Sequence, residues 1–168
     1  MLIINAQVPG FKSLQQILIV DGEIIEIAPS ISAATTVLDV SGDWISLGGI
    51  DLQINGALGL AFPDLNADSI DKLDKICDFL WHEGIDGFLP TIVTTSIENI
   101  QRALSTISNY LSSLIPHPSS LILGVHLEGP FLNPEKRGAH PQEFLLPLTI
   151  DNIKRVLGDY ASIVKVMT

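Results

Sequence analysis

The feature that most constrains this sequence is an alternation of two hydrophobic periods beyond about residue 45. Apolar runs of strand length stand at 50–54, 88–93, 121–127 and 163–167. Between them, apolar residues recur every three or four positions, the spacing of one helix face. The first such stretch carries Ile70, Leu73, Ile76, Cys77, Leu80 and Trp81, with Asp68 as its expected cap and Gly84 as its stop. The second carries Ile97, Ile100, Leu104, Ile107, Leu111 and Leu114 behind Ser96, and Pro116-His117-Pro118 then reads as a loop. The third carries Ile153, Val156 and Leu157 between Thr149 and Gly158. Strands alternating with helices predict a parallel sheet, because parallel neighbours need a long crossover. A composition of 46% apolar and 17% charged residues agrees, since such strands are covered on both faces.

The first 45 residues carry no such alternation. Leu2-Ile3-Ile4, Ile17–Val20, Glu23–Ile27 and Thr36–Val40 read as short strands. Asp21-Gly22 between the second and third predicts a two-residue type I′ turn, whose central positions both need positive φ. These segments predict a small antiparallel sheet, too thin to stand alone. The expected organisation is therefore 1–45 as a β layer and 46–168 as an α/β unit.

Charge and composition exclude several classes of function. A formal net charge of −10 disfavours nucleic acid and anionic membrane as partners. There is one cysteine, Cys77, which rules out an internal disulfide framework and reads as a small core residue. No basic leader and no uninterrupted apolar span of about 20 residues is present, so a cytoplasmic location is expected. His82, at the end of the first helical stretch, reads as a surface group favoured by the helix dipole.

Candidate chemistry concentrates where the third strand ends. Gly124, His126 and Glu128 share one strand face, and Gly129-Pro130 follows at once. A carboxylate at the last strand position either emerges into solvent or needs a partner or a metal. His126 reads either as a support for Glu128 or as a satisfied core histidine. On the first strand of the α/β unit, Ile50, Leu52 and Ile54 alternate with Asp51, Gln53 and Asn55. That pattern predicts a half-buried strand with a polar face. Lys136 and Arg137 read as a solvated loop, with attraction of a phosphate as the less common alternative.

The run His126-Leu127-Glu128-Gly129-Pro130-Phe131-Leu132-Asn133-Pro134, followed after three residues by Gly138-Ala139-His140, closely resembles the signature of the N-acetylglucosamine-6-phosphate deacetylases of the amidohydrolase superfamily. Leu89-Pro90-Thr91-Ile92-Val93-Thr94-Thr95-Ser96 resembles the same family. The resemblance implies the N-terminal half of a (β/α)₈ TIM-like barrel, preceded by part of a β-sandwich. It implies metal-dependent hydrolysis of N-acetylglucosamine 6-phosphate to glucosamine 6-phosphate and acetate, in amino-sugar metabolism. Glu128 is the implied metal ligand, and Ala139 and His140 the implied substrate contacts. Most amidohydrolases carry His-x-His where Gln53 and Asn55 stand here, which points to one divalent metal, zinc by expectation, rather than two. Gln53 and Asn55 are then candidate contacts to metal-bound water or substrate, or else plain polar packing.

The family's two histidine ligands and its catalytic aspartate are expected beyond Thr168, so no catalytic residue is assigned within the chain. The expectation is a fragment: inactive alone, partnered by the missing C-terminal half of the barrel, and homo-oligomeric in the full protein. Two other readings stand. One is a different one-metal amidohydrolase acting on a cyclic amide or another N-acyl sugar. The other is a non-catalytic remnant that binds a partner chain.

Overall fold

A computed structural model describes residues 1–113 and 121–168. Leu114 of the second helical stripe and the Pro116-His117-Pro118 loop lie outside the described residues. The chain divides into two compact units, Met1–Leu47 and Gly48–Thr168.

The first unit is a four-stranded sheet in the order β3-β2-β1-β4, formed by β1 (Leu2–Ala6), β2 (Gln15–Val20), β3 (Glu23–Ala28) and β4 (Val37–Asp39). Asp21 and Gly22 have φ of 52° and 83°, the conformation that a two-residue hairpin turn demands. β1, β2 and β3 pair antiparallel, but β4 lies parallel to β1, with Leu2 opposite Val37. The sheet is therefore mixed, not wholly antiparallel as its sequence predicts. The chain between β1 and β4, which includes the β2–β3 hairpin, supplies the length that a parallel neighbour needs. Ile3, Ala6 and Ile17 form a small core, with Val8, Ile19, Ile27, Val40 and Ile45 packed around it. Val20, Ile24, Ile25, Val37 and Leu38 are exposed.

The second unit has the expected strand–helix alternation. β5 (Gly49–Ile54) leads into a minimal hairpin of β6 (Gly56–Ala57) and β7 (Leu60–Ala61), then α1 (Ile70–His82). β8 (Ile85–Val93), α2 (Ile97–Ser113), β9 (Leu121–Ile122), β10 (Val125–Glu128), α3 (Ile150–Leu157) and β11 (Val164–Met167) follow. β5, β8, β10 and β11 form a parallel sheet in the order β11-β10-β8-β5, and β9 pairs with β8 below β10. One continuous core joins Phe88, Ile92, Val125 and Leu127 of the strands to Leu73, Ile76 and Leu80 of α1, to Ile100, Leu104 and Ile107 of α2 and to Val156 of α3.

Three local departures from the sequence pattern have identifiable causes. The run 121–127 is interrupted at Gly124, where φ is 149° and a Cβ would meet the Ile163 carbonyl and the Lys165 side chain. Only glycine lets the neighbouring strand approach so closely. The side-chain cap falls at Asn66, on the 3₁₀ turn that leads into α1, and not at Asp68: the Asn66 side chain accepts from the Asp68 amide at 2.9 Å, and Ser69 Oγ accepts from the Asn66 amide at 3.3 Å. This capping box adds a 3₁₀ turn over Ala67–Ser69 before the α-helix begins. Ser96 and Thr149 cap α2 and α3 as expected, accepting from the amides of Asn99 and Asn152. Finally, Ile50 and Leu52 are exposed, while Ile54 packs on the core. β5 is the end strand of the sheet order, and its register against β8 shifts between Asp51 and Ile54. The strict alternation predicted for it is broken there.

Cys77 is 2% exposed, within α1, and its Sγ lies 3.6 Å from the Tyr110 hydroxyl, which donates to Asp74 Oδ1 at 2.6 Å. Burial, chiefly, pushes its thiol up to about 11 from an ordinary 9.0. Below both values, the thiolate fraction is lower by about a hundredfold, and the thiolate is the reactive form. At pH about 8, a disulfide-exchange reagent is expected to modify native Cys77 at least about 100-fold more slowly than the same chain in concentrated urea. Equal rates in the two states would show that the thiol is not held in this core.

Candidate functional site

The candidate residues meet at the C-terminal ends of the parallel strands, the end where α/β sheets place their ligands. Glu128 closes β10 opposite Val93, the last residue of β8. Pairing continues one step further, because Gly129 N donates to Thr168 O at 2.8 Å and Thr168 N donates to Leu127 O at 3.0 Å. Gly129 has φ of 82°, and the Gly129–Pro130 bond is cis. The turn sends the chain away from the sheet into the loop that returns His140.

The Glu128 carboxylate is 27% exposed and faces two groups. Gln53 Nε2, from β5, donates to Oε2 at 3.0 Å across 75 residues of sequence. His140 Nε2 lies 3.7 Å from Oε1, an ion pair when the imidazole is protonated. His140 is held from behind: Nδ1 is 2.8 Å from Thr94 Oγ1, and the Thr94 hydroxyl donates to Glu128 O at 3.2 Å. The fold thus brings Gln53, Glu128 and His140 together around the buried Thr94 hydroxyl.

The remaining candidates sit apart from this cluster. Asn55 is exposed; its backbone carbonyl accepts from Phe62 N, and its side chain has no hydrogen-bond partner among the described residues. Ala139 is exposed on the loop before His140. Lys136 is exposed, and Arg137 Nη1 donates to Pro134 O at 3.3 Å. His126 is buried between two hydroxyls, with Nδ1 3.2 Å from Thr91 Oγ1 and Nε2 3.0 Å from Thr168 Oγ1. Burial pushes the His126 imidazole below its ordinary range, and the Glu128 charge opposes this only in part. His126 therefore ties β10 to β8 and β11 as a neutral ring, with threonines as its partners.

The three threonines were not evident among the sequence candidates. Thr91 and Thr94 lie in a run rich in strand-formers, where Thr reads as β propensity. The signal that distinguishes them is position: hydroxyls near the C-terminal end of a central parallel strand, where side chains of neighbouring strands converge.

No protein-family model matches the chain. It is 34% identical over 153 residues to the N-acetylglucosamine-6-phosphate deacetylase of Haemophilus influenzae, covering 89% of this chain and 38% of that protein. It is 30% identical over 149 residues to the N-acetylgalactosamine-6-phosphate deacetylase of Escherichia coli O157:H7, covering 89% and 37%. The crystal structure of N-acetylglucosamine-6-phosphate deacetylase from Pasteurella multocida superimposes with a TM-score of 0.77 at 25% identity, over 99% of this chain and 43% of that one.

Gly129 gives a direct test of the turn. A Cβ there would collide with Thr94 Oγ1, at a φ that side chains rarely adopt. Gly138 also has positive φ, 62°, but open space around it. Gly138→Ala is expected to cost about 1–2 kcal/mol, the backbone term alone. Gly129→Ala should cost more by about 1–3 kcal/mol, from displacing Thr94 and its hydrogen bonds. Urea denaturation measures both, and equal losses would show that Thr94 yields freely.

The chain spans about two-fifths of the length of the curated relatives it matches. In sequence and in fold it is similar to the N-acetylglucosamine-6-phosphate deacetylases, and it matches an N-terminal part of them.

Proposed function

We propose that this chain forms the N-terminal part of a cytoplasmic deacetylase that hydrolyses the acetamide of N-acetylglucosamine 6-phosphate, giving glucosamine 6-phosphate and acetate. The observation that supports this reading best is the convergence of Gln53, Glu128 and His140 at the C-terminal strand ends. Two of these three are residues to which the family resemblance gives a role.

The donor chemistry fits a divalent metal at one position. Glu128 is partly exposed, and its Oε1 has only the 3.7 Å approach of His140 against it. Among the described residues, no group of three His, Cys, Asp or Glu side chains converges as a metal cage would require. Glu128 would thus be one ligand of a metal whose other ligands are not among these residues. When bound, such a metal, zinc in this reading, polarises an acyl carbonyl and lowers the pKa of a bound water. The chain's own part is to fix the carboxylate through Gln53 and to present His140 to the sugar. Asn55 and Ala139, both exposed, would contact water or sugar, and His126 holds β10 to its neighbours beneath Glu128. The functional state would be an assembly that completes the ligand set and the general base, with homo-oligomers as in the sequence expectation.

The test joins residues 1–168 to the part of the Haemophilus influenzae relative that follows the matched region, and assays acetate release from N-acetylglucosamine 6-phosphate. The hybrid should turn over and bind zinc, while the 168-residue chain alone should not turn over. Glu128→Gln keeps the shape and removes the charge. It is expected to lower rate and zinc content by at least about 10–100-fold, the range seen even for groups that only support metal ligands. His140→Ala should chiefly raise KM. Unchanged zinc and rate in Glu128→Gln would refute the assignment. Faster turnover of the galactosamine epimer would move the substrate to the chemistry named for the Escherichia coli relative.

A further inference from the structure

Asn55-Gly56 is the one Asn-Gly pair in the chain; the other six asparagines precede Ala, Ala, Ile, Tyr, Pro and Ile. Asparagine is among the thermolabile side chains. It is lost when the backbone nitrogen of the next residue attacks its side-chain carbonyl carbon. Glycine hinders that attack least, because it has no Cβ and its backbone turns most freely. A folded chain suppresses the reaction where hydrogen bonds already engage the two groups.

At this pair neither group is engaged. Asn55 is exposed, and its side chain has no hydrogen-bond partner among the described residues. The side chains of Asn5, Asn66, Asn99, Asn133 and Asn152 each hold a hydrogen bond. Asn109 lies inside α2, where the following amide belongs to the helix ladder. In the β6–β7 hairpin, Gly56 stands opposite Ala61, and Phe62 N donates to Asn55 O at 3.0 Å. Bonded and non-bonded pairs alternate along an antiparallel ladder, so Gly56 and Ala61 are a non-bonded pair. The Gly56 N–H therefore points away from β7. A side chain at 56 would collide with Leu60 O and Ala61 Cα, so the fold keeps glycine there.

We propose that Asn55-Gly56 is a self-modification site at which the folded chain converts residue 55 to aspartate and isoaspartate. Gly56 N gives its proton to solvent base and bonds to Asn55 Cγ. The bond from Cγ to the amide nitrogen breaks, and ammonia leaves with a proton, closing a cyclic imide. Water then opens the imide. Opening at Cγ restores the normal backbone with aspartate; opening at the α-carbonyl leaves isoaspartate, whose backbone runs through Cβ and Cγ. Asparagine and water thus become a carboxylate and ammonia, with no oxidant or cofactor. Ring closure turns the peptide that carries Asn55 O, so the Phe62 hydrogen bond must open briefly. A hairpin of two residues per strand opens at little cost. Either product puts a new negative charge two residues from Gln53.

The test holds the 168-residue chain folded in mildly alkaline buffer and follows every asparagine by peptide mass mapping. Enzymatic methylation marks the isoaspartate. Residue 55 should convert at least about tenfold faster than any other asparagine, the rate effect of one hydrogen bond left unmade. Conversion should quicken as pH rises, because the attacking amide must lose its proton. Asn55→Gln, which would need a larger ring, should show no conversion at 55 over the same period. If Asn55 converts in urea but is as inert as the other asparagines in the folded chain, the hairpin withholds the amide and the proposal is overturned. Aspartate without isoaspartate would overturn the imide route. The effect on binding rests on the function proposed above: an aged hybrid and Asn55→Asp should both show a raised KM for the anionic sugar phosphate. An unchanged KM in both would count against the sugar contact of residue 55, while the mass map decides the modification by itself.

Discussion

Everything at the candidate site depends on the parallel pairing of β10 between β8 and β11. On one side His126, Leu127 and Glu128 stand opposite Thr91, Ile92 and Val93; on the other, Val125 and Leu127 stand opposite Val164 and Met167. Alternation along this strand splits its work. Val125 and Leu127 are fully buried in the core shared with the helices, so the strand cannot slide. A slip of one residue would put His126 and Glu128 into that core and both apolar residues on the other face. The register that buries Leu127 is the register that presents Glu128 to Gln53. Packing energy on one face thus fixes the position of a carboxylate on the other.

The hydroxyls serve the same end by a different route. A histidine buried like His126 needs both nitrogens satisfied without a charge, and two threonines do this with one proton each to give or receive. His140 comes from a loop, whose own backbone fixes it less firmly than a strand would. Thr94 compensates by gripping its Nδ1 from a position just past the end of β8. Gly129 makes that grip possible, since any side chain there would occupy the space of the Thr94 hydroxyl. Glycine in this turn is therefore a requirement of the site as well as of the backbone.

Much of this was legible in the sequence where pattern and chemistry act locally. The strand–helix alternation, the Asp21-Gly22 hairpin and the Ser96 and Thr149 caps each depend on a few adjacent residues, and each appears in the structure. The direction of β4, the break at Gly124 and the exposure of Ile50 and Leu52 depend on which strand lies alongside. That information is not carried by the segment itself. The cap at Asn66 was obscured because Asp68 is an equally good capping residue, and the choice turns on the reciprocal bond with Ser69. In the site, Glu128 stood out as a carboxylate at the end of an apolar strand, and His140 through the family resemblance of the run that carries it. Thr94 did not, because a threonine in a strand needs no special explanation.

The charge distribution bears on how an anionic ligand would be handled. With nineteen acidic and nine basic residues, the chain as a whole repels a phosphorylated sugar at long range. That field is screened beyond about 8–10 Å at ordinary ionic strength, so the local groups decide binding at the site. Of the loop that follows Glu128, His140 returns to its carboxylate, while Lys136 is exposed and Arg137 Nη1 donates to Pro134 O. The Glu128 charge is shared with the Gln53 amide rather than with a fixed cation. A neutral amide partner adds no counter-charge, as a lysine or arginine in that place would. Gln53 thus positions the carboxylate without supplying a counter-charge, which leaves His140 as the group whose protonation would pair with it.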